Sequence, residues 1–487
     1  MKYTKPEKMG IKSSHIKAYI ELLEKAGLST HDLIIMRHGE IVFEHYWKPF
    51  DKDFLHRMYS VTKSFVSLGI GFLEQDGLIK LDDPLVKYFP KEAENITDIN
   101  ILNQTIRDNL MMSTARVELN WFQNKTEDRV LQYFENPHNS RPSGTVFDYD
   151  SCGSFMLGAL IERVTGKELI EYLREKFLDK IGFSKEAFML KCPGGHSWGD
   201  SALICKPVDL LKTAMFVMNK GNWNGEQLLN KAYVEAATKK QIDIDSAGFS
   251  TPQTQGYGYQ FWRLYDNSFY FNGMGCQFAV CIPDKDIIMV YNADNQGIPC
   301  AKAIILDNFY DLIVRKAEDK EIADSGYDEL EKYVETLELY KAKGNLTSPV
   351  MDKINGITYK IGENPMGITE MKVSFEGNKG ELFYINEQGE KRIPFGMGYN
   401  EFSHFPQEGY SDMIGTKPGN RLYKCAASGA WKDDKRLYIK VQIIDTYFGN
   451  MNIMLGFNED RIGIEMTKTA EDFLKEYEGF AGGFGEF

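Results

Sequence analysis

Apolar and polar positions change period along this chain of 487 residues, and the changes mark its organisation. "LIIMRHGEIVFEHYW" (33–47) has two β-rich apolar runs around His38-Gly39-Glu40, which predicts a hairpin. From Ser60 to about Gln75, apolar residues at 61, 65, 68 and 72 have helical spacing, and Gly77 is placed to end the helix. Val66, Ile70 and Leu73 widen the stripe almost all round, so this helix is predicted to be buried. Helical and loop patterns fill residues 100–240, notably "SFMLGALIERVTGKELIEYLREKFL" and "VDLLKTAMFVMNKG". Strand patterns return as "YGYQFWRLY", "SFYFNGMGCQFAVCI" and "DIIMVYNAD", followed by the amphipathic "AKAIILDNFYDLIVRKA". Strands early and late with helices between predict an α/β (α+β) unit: one antiparallel sheet built by both ends of the segment and covered by helices.

Charge density then rises in "KAEDKEIADSGYDELEKYVETLELYKAKG" (316–344), which reads as a solvated helical linker. After it the period falls to two, in "ITEMKVSFEG", "GELFYINEQGEKRIPFG", "RLYIKVQIIDTYFG" and "MNIMLGFNEDRIGIEM". Short alternating strands need closure or a partner sheet, so a second, all-β domain in the form of a small barrel is expected. The expected division is 1–317, a linker at 318–345, and 346–487. The glycine-rich tail "GFAGGFGEF" reads as low complexity.

The length suits two or three domains. A formal net charge of -13, with no basic patch, argues against nucleic acid or an anionic membrane surface as partner. "MKYTKPEKMG" lacks the apolar stretch of a signal peptide, and no apolar run is long enough to span a bilayer; a cytoplasmic location is expected. The seven cysteines are scattered and lack a Cys-x-x-Cys pair, which fits buried thiols. Neither a His-Glu-x-x-His helix nor a Cys/His cluster suggests a metal, and no cofactor is implied.

Several serines compete for a chemical role. Gly195-His196-Ser197-Trp198-Gly199 matches the Gly-x-Ser-x-Gly elbow of α/β-hydrolases, a motif that needs a strand directly before it and a helix directly after. Pro193 and Gly194-Gly195 break the run upstream, the helix downstream cannot begin before about Pro207, and only His404 follows Ser197 among the eight histidines. A chance match in a glycine-rich loop is the better reading. Ser-x-x-Lys occurs at Ser14–Lys17 and at Ser60–Lys63. Ser60 begins the apolar helix, where unpaired backbone N–H groups favour developing negative charge. Lys63 is one turn on, beside Val66 and Ile70, within hydrogen-bonding reach and partly desolvated. Tyr149-Asp150-Ser151 leads into another apolar helix, and a phenol beside a lysine can pass protons between nucleophile and leaving group. Gly273 and Gly275 interrupt a strand pattern, which marks either a bulge or close approach of a backbone to a ligand. In the second case a strand N–H would join that of Ser60 in an oxyanion hole.

Taken in order, "MYSVTKSFVSLGIGFLEQDGLIKLDDPLVKYFP", "TIRDNLMMST", "PSGTVFDYDSCGSFMLGALIERVTGKELIEYL" and "GMGCQFAVCIPDKDIIMVYNAD" closely resemble the serine β-lactamase-like family, the class C β-lactamase, D,D-peptidase and esterase group. The resemblance covers roughly residues 5–315. It implies a β-lactamase/transpeptidase-like fold, with Ser60 as acylated nucleophile, Lys63 as its proton acceptor and Tyr149 as acid-base partner of the leaving group. Two departures matter. Ser151 stands where β-lactamases of the group usually have asparagine. The third motif, commonly Lys or His, a small residue and Gly, aligns with Phe271-Asn272-Gly273, followed by Met274-Gly275, on the substrate or oxyanion wall. A cation there would pair with a substrate carboxylate, which Phe271 cannot do. The implied function is hydrolysis of a small ester or amide, a D-amino-acid peptide included. A β-lactamase or D-alanyl-D-alanine carboxypeptidase is the alternative within the same chemistry, and a binding protein on a retired hydrolase scaffold the alternative outside it.

Overall fold

A computed structural model describes residues 1–487 apart from 116–127, 136–139, 193, 246–248, 407–421, 471–473 and 487. The chain forms two compact units, Met1–Glu338 and Leu339–Phe487.

The first unit is built on a seven-stranded sheet. Its strands are β1 (Lys2–Tyr3), β2 (Thr30–Arg37), β3 (Glu40–Tyr46), β4 (Trp262–Arg263), β5 (Phe269–Gly273), β6 (Gln277–Ile282) and β7 (Ile287–Ala293), in the order β1-β3-β2-β7-β6-β5-β4. The expected hairpin is β2–β3, and His38 and Gly39 (φ 51° and 74°) supply the left-handed pair that a two-residue turn of matching twist requires. Both ends of the unit meet in the sheet, because β2 pairs antiparallel with β7. The sheet is mixed rather than wholly antiparallel, since β1 joins β3 in parallel.

One ladder shows why the strands read as apolar runs. Phe271 pairs with Ala279, Ala279 with Val290, and Val290 with Ile34. On the other face Tyr270, Val280, Met289 and Ile35 line up, sunk in the core that includes helix α1 (Ser13–Lys25) and its Ile16, Tyr19, Ile20 and Leu23. Both faces are covered, so alternation is lost. Helices α2 (Thr62–Gln75), α3 (Ser151–Thr165) and α4 (Pro207–Met218) come from the middle of the chain, with α4 against β6 and β7. Helix α5 (Ala301–Phe309) follows the sheet, and Tyr19 donates to the Ile305 carbonyl at 3.1 Å. In the charge-dense stretch, α6 (Tyr327–Val334) buries Leu330 and Val334 in the same core as α1, with Leu337 next in the stripe.

The second unit is all-β. Strands β8 (Thr358–Ile361), β9 (Glu370–Glu376), β10 (Lys379–Asn386), β11 (Gly389–Met397), β12 (Glu401–His404), β13 (Lys424–Trp431), β14 (Arg436–Ile444), β15 (Phe448–Asn458), β16 (Arg461–Thr469) and β17 (Gly479–Gly485) form one sheet. Parallel pairing of Gly396 and Met397 with Ser428 and Gly429 joins β11 to β13 and closes a nine-stranded barrel, with β12 lying outside the ring against β13. Alternate residues point inward, as with Ile462, Ile464 and Met466 of β16. The tail read as low complexity is instead a barrel strand: β17 pairs with β16 and with β8.

Candidate active site

The apolar helix does not begin at Ser60. A 3-10 turn, Tyr59–Val61, precedes α2, and Tyr59 adopts φ 48°, an unfavourable value for a non-glycine residue. The turn is tied down on several sides. Met58 N–H donates to the Leu203 carbonyl at 2.9 Å, Val61 N–H to the Met58 carbonyl at 3.1 Å, and Thr62 Oγ1 to the Tyr59 carbonyl at 2.6 Å. The Arg57 guanidinium lies 4.2 Å from the Tyr59 ring centre.

Lys63 is 1% exposed, and its Nζ donates to Ser60 Oγ at 2.9 Å and to the Asp200 carbonyl at 2.8 Å. The same nitrogen is 5.1 Å from the centre of the Tyr149 ring. Three residue types brought together from positions 60–63 and 149 therefore occupy one locus. The Tyr149 ring leans on Trp262, centroids 5.6 Å apart. Its neighbours fix its path: Asp148 N–H donates to the Met112 carbonyl, and the buried Asp150 caps α3 by accepting from Gly153 N–H at 3.0 Å. Asp150 also accepts from Thr114 Oγ1 at 2.8 Å, although burial still raises its carboxyl above the usual range. Ser151 is the first residue of α3 and half-buried.

The third motif runs along β5. Phe271 is fully buried, 5.0 Å from the Phe261 ring and 6.5 Å from Phe65 of α2, so its side chain is core rather than a lining group. Gly273 passes the nucleophile turn so closely that a Cβ there would lie 2.4 Å from the Met58 carbonyl oxygen. Met274, Gly275 and Cys276 make the turn into β6, with left-handed φ at Gly275 and Cys276, so the glycines mark a turn and a close approach rather than a bulge. Asn272 is buried beside it on the face opposite Phe271.

Ser197 stands apart from this locus. It is 3% exposed in a loop, and its N–H donates to Glu162 at 3.2 Å while His196 Nδ1 lies 2.8 Å from the same carboxylate. Burial raises Glu162, but these hydrogen bonds outweigh it and hold the carboxyl low. The next residues matter more. Asp200, whose carbonyl receives Lys63, carries a buried carboxyl raised by desolvation and opposed by Lys63, Arg129 and Arg57. Gln260 was equally hidden: its carbonyl accepts from Ser64, its Oε1 from Ser154, and its Nε2 donates to the carbonyls of Asn109 and Leu110. Gln260 thus fastens α2 through its carbonyl, and α3 and residues 109–110 through its side chain. Among the described residues no cluster of His, Cys, Asp and Glu could hold a metal ion, and no helix is long and apolar enough to cross a membrane.

Comparison with known proteins gives this locus a context. A 6-aminohexanoate-dimer hydrolase of Paenarthrobacter ureafaciens is 23% identical over 250 residues, 48% of this chain and 64% of the hydrolase, so the match spans just under two thirds of that relative. Among solved structures, an octameric penicillin-binding protein homologue from Pyrococcus abyssi has a TM-score of 0.50 at 16% identity and covers 96% of this chain and 99% of its own. EstCE1, a hydrolase with promiscuous acyltransferase activity, has a TM-score of 0.50 at 15% identity over 61% of this chain and 98% of its own. The beta-lactamase family model matches residues 16–301, the stretch that holds Ser60, Lys63, Tyr149 and the Gly273 turn, and the chain belongs to the beta-lactamase family.

Proposed function

We propose that the protein hydrolyses a small ester or amide through an acyl-enzyme on Ser60. The observation that carries this is the buried Lys63 Nζ, held by the Asp200 carbonyl and 2.9 Å from Ser60 Oγ. In its amine form Lys63 takes the Ser60 proton as Oγ bonds to the substrate carbonyl carbon. The carbonyl oxygen gains the negative charge, which the backbone N–H groups of Ser60 and of the turn after Gly273 are suited to receive. Collapse breaks the bond to the leaving group, which takes a proton by way of Tyr149. Water then attacks the acyl carbon, gives a proton to the same base, and Ser60 leaves as a hydroxyl. Ester and amide substrates suit this machinery, and a 6-aminohexanoate-dimer hydrolase among the relatives agrees with it. Phe271 puts no cation on β5, which disfavours a β-lactamase or a carboxypeptidase that relies on one. A cytoplasmic location belongs to the same proposal.

The test is intact mass after a fluorophosphonate probe, with turnover of 4-nitrophenyl butyrate, for wild type, Ser60→Ala and Ser197→Ala. Adduct and turnover should vanish only in Ser60→Ala, with a rate loss of about 10⁴-fold or more. Loss only in Ser197→Ala would overturn the assignment, and a wild type that never labels would favour a binding protein on this scaffold.

A further inference from the structure

The stretch that imitates a nucleophile elbow, Gly195–Gly199, runs directly into the support of Lys63. Trp198 to Ser201 form a tight turn, closed by Ser201 N–H donating to the Trp198 carbonyl at 3.0 Å. Asp200 is the third residue of that turn, and its carbonyl holds Lys63 Nζ at 2.8 Å. Where the turn sits therefore decides where the lysine sits. One side of it is pressed onto α3: a Cβ on Gly199 would lie 3.2 Å from Gly158 Cα, and Ser197 N–H is held by Glu162 of the same helix.

The other side is held by Arg57, three residues before the nucleophile and fully buried. Its Nε donates to the Ser201 carbonyl at 3.3 Å and a terminal nitrogen to Ser201 Oγ at 3.2 Å, while the guanidinium lies 5.0 Å from the Trp198 ring centre. Both ends of the turn thus meet one planar group. The same guanidinium is 4.2 Å from the Tyr59 ring centre, so it also touches the left-handed turn that presents Ser60. A guanidinium suits this task because its donors are fixed in one plane and its faces stack on aromatic rings, whereas an ammonium is a point charge on a flexible stem. Burying a cation is costly, and apolar groups could join two loops as well. What they could not do is fix hydrogen bonds and ring contacts on both turns at once.

We propose that Arg57 is the positioning residue that sets the separation of Ser60 and Lys63, gripping the Tyr59 turn and the Trp198–Ser201 turn together. It takes no part in bond making. This role deepens the Ser60 reading and rests on it, and the test keeps the two apart. Wild type, Arg57→Lys, Arg57→Met and Ser201→Ala are compared by the rate of fluorophosphonate labelling and by kcat and KM on 4-nitrophenyl butyrate. Thermal midpoints and amide hydrogen exchange over residues 198–203 are measured beside them. Both Arg57 variants should label and turn over about 100-fold more slowly with KM within about threefold, the cost of misplacing reacting groups by about 1 Å. Ser201→Ala, which loses one of the contacts, should lose about threefold or more, and adding it to Arg57→Lys should slow that variant no further. Exchange over 198–203 should quicken about tenfold in Arg57→Lys. An Arg57→Lys protein that keeps labelling and kcat within about twofold of wild type while its midpoint falls overturns the proposal, since a merely structural contact behaves that way. If the Arg57 variants do not fold, Ser201→Ala decides, and unchanged labelling and exchange there overturn it. If the probe never lands on Ser60, the Ser60 reading fails, while the exchange comparison still decides whether Arg57 holds the turn.

Discussion

Substituting Gly273 by alanine tests whether the third strand acts by its closeness to the nucleophile turn. The added Cβ would lie 2.4 Å from the Met58 carbonyl oxygen, 2.9 Å from Gln277 Cβ and 3.1 Å from Gln277 Cγ. Carbon and oxygen in van der Waals contact need about 3.3 Å, so roughly 1 Å of displacement is forced on a close-packed region. The Met58 carbonyl cannot move alone, because it accepts from Val61 N–H and Met58 N–H is bound to Leu203. Moving it shifts Tyr59 and Ser60, and with them the 2.9 Å contact to Lys63. Misplacement of this size costs about 100-fold in rate, whereas overpacking costs only about 1–3 kcal/mol of stability. The assay is kcat/KM on 4-nitrophenyl butyrate beside the thermal midpoint, for wild type, Gly273→Ala and Gly456→Ala. A Cβ on Gly456 of β15 meets nothing within 4 Å and should change neither quantity. If Gly273→Ala lowers the midpoint but keeps activity within about twofold, strand and nucleophile are not coupled, and the reasoning fails.

Two further outcomes follow from buried groups. Asp32 is buried and accepts from Asn292 Nδ2 at 2.9 and 3.1 Å, yet desolvation raises its carboxyl from 3.8 to about 8. Between those values the unfolded chain has lost a proton that the folded one keeps, so stability falls as pH rises, at most about 1.4 kcal/mol per unit. Asp32→Asn should therefore stabilise by a few kcal/mol at pH 8 and hardly at pH 4, as read by urea unfolding at both; equal effects at the two pH values would contradict it. Phe271→Lys places an ammonium between Phe65 and Phe261, where it should cost about 3–5 kcal/mol and lower the thermal midpoint without improving turnover of 3-carboxy-4-nitrophenyl butyrate. A stable variant that gains such activity would show that Phe271 faces the substrate.

What could be read in the sequence was what is local. Ser60 and Lys63 are one helical turn apart, so their meeting is a matter of spacing, and the hairpin at His38-Gly39 carries its own turn chemistry. Tyr149 needed the order of motifs rather than geometry, since its approach to Lys63 depends on how α2 packs against α3. Asp200 and Gln260 stayed hidden because each acts through contacts more than a hundred residues away along the chain, and one of the Asp200 contacts uses a carbonyl that every residue possesses. The direction of Phe271 was likewise invisible: on a sheet buried on both faces, apolar residues at every position leave no alternation to show which face is which. In α6 and just beyond it, the stripe Leu330, Val334 and Leu337 was masked by the charges around it.

The strand that joins β8 to β16 is also the one with the fewest side chains. Within β17 only Phe480, Ala481 and Phe484 carry a Cβ, and both phenylalanines point to solvent at 72% and 59% exposure. Register in a sheet is normally enforced by which residues must go inside, and a slip of two positions along a glycine-rich strand changes little of that. Alignment must therefore be imposed by β8 and β16, through close backbone fits such as Gly483 against the Lys360 carbonyl, where any Cβ would lie at 2.3 Å. The barrel thus holds this strand by close backbone approach rather than by apolar burial, and a side chain at position 483 would force β8 away.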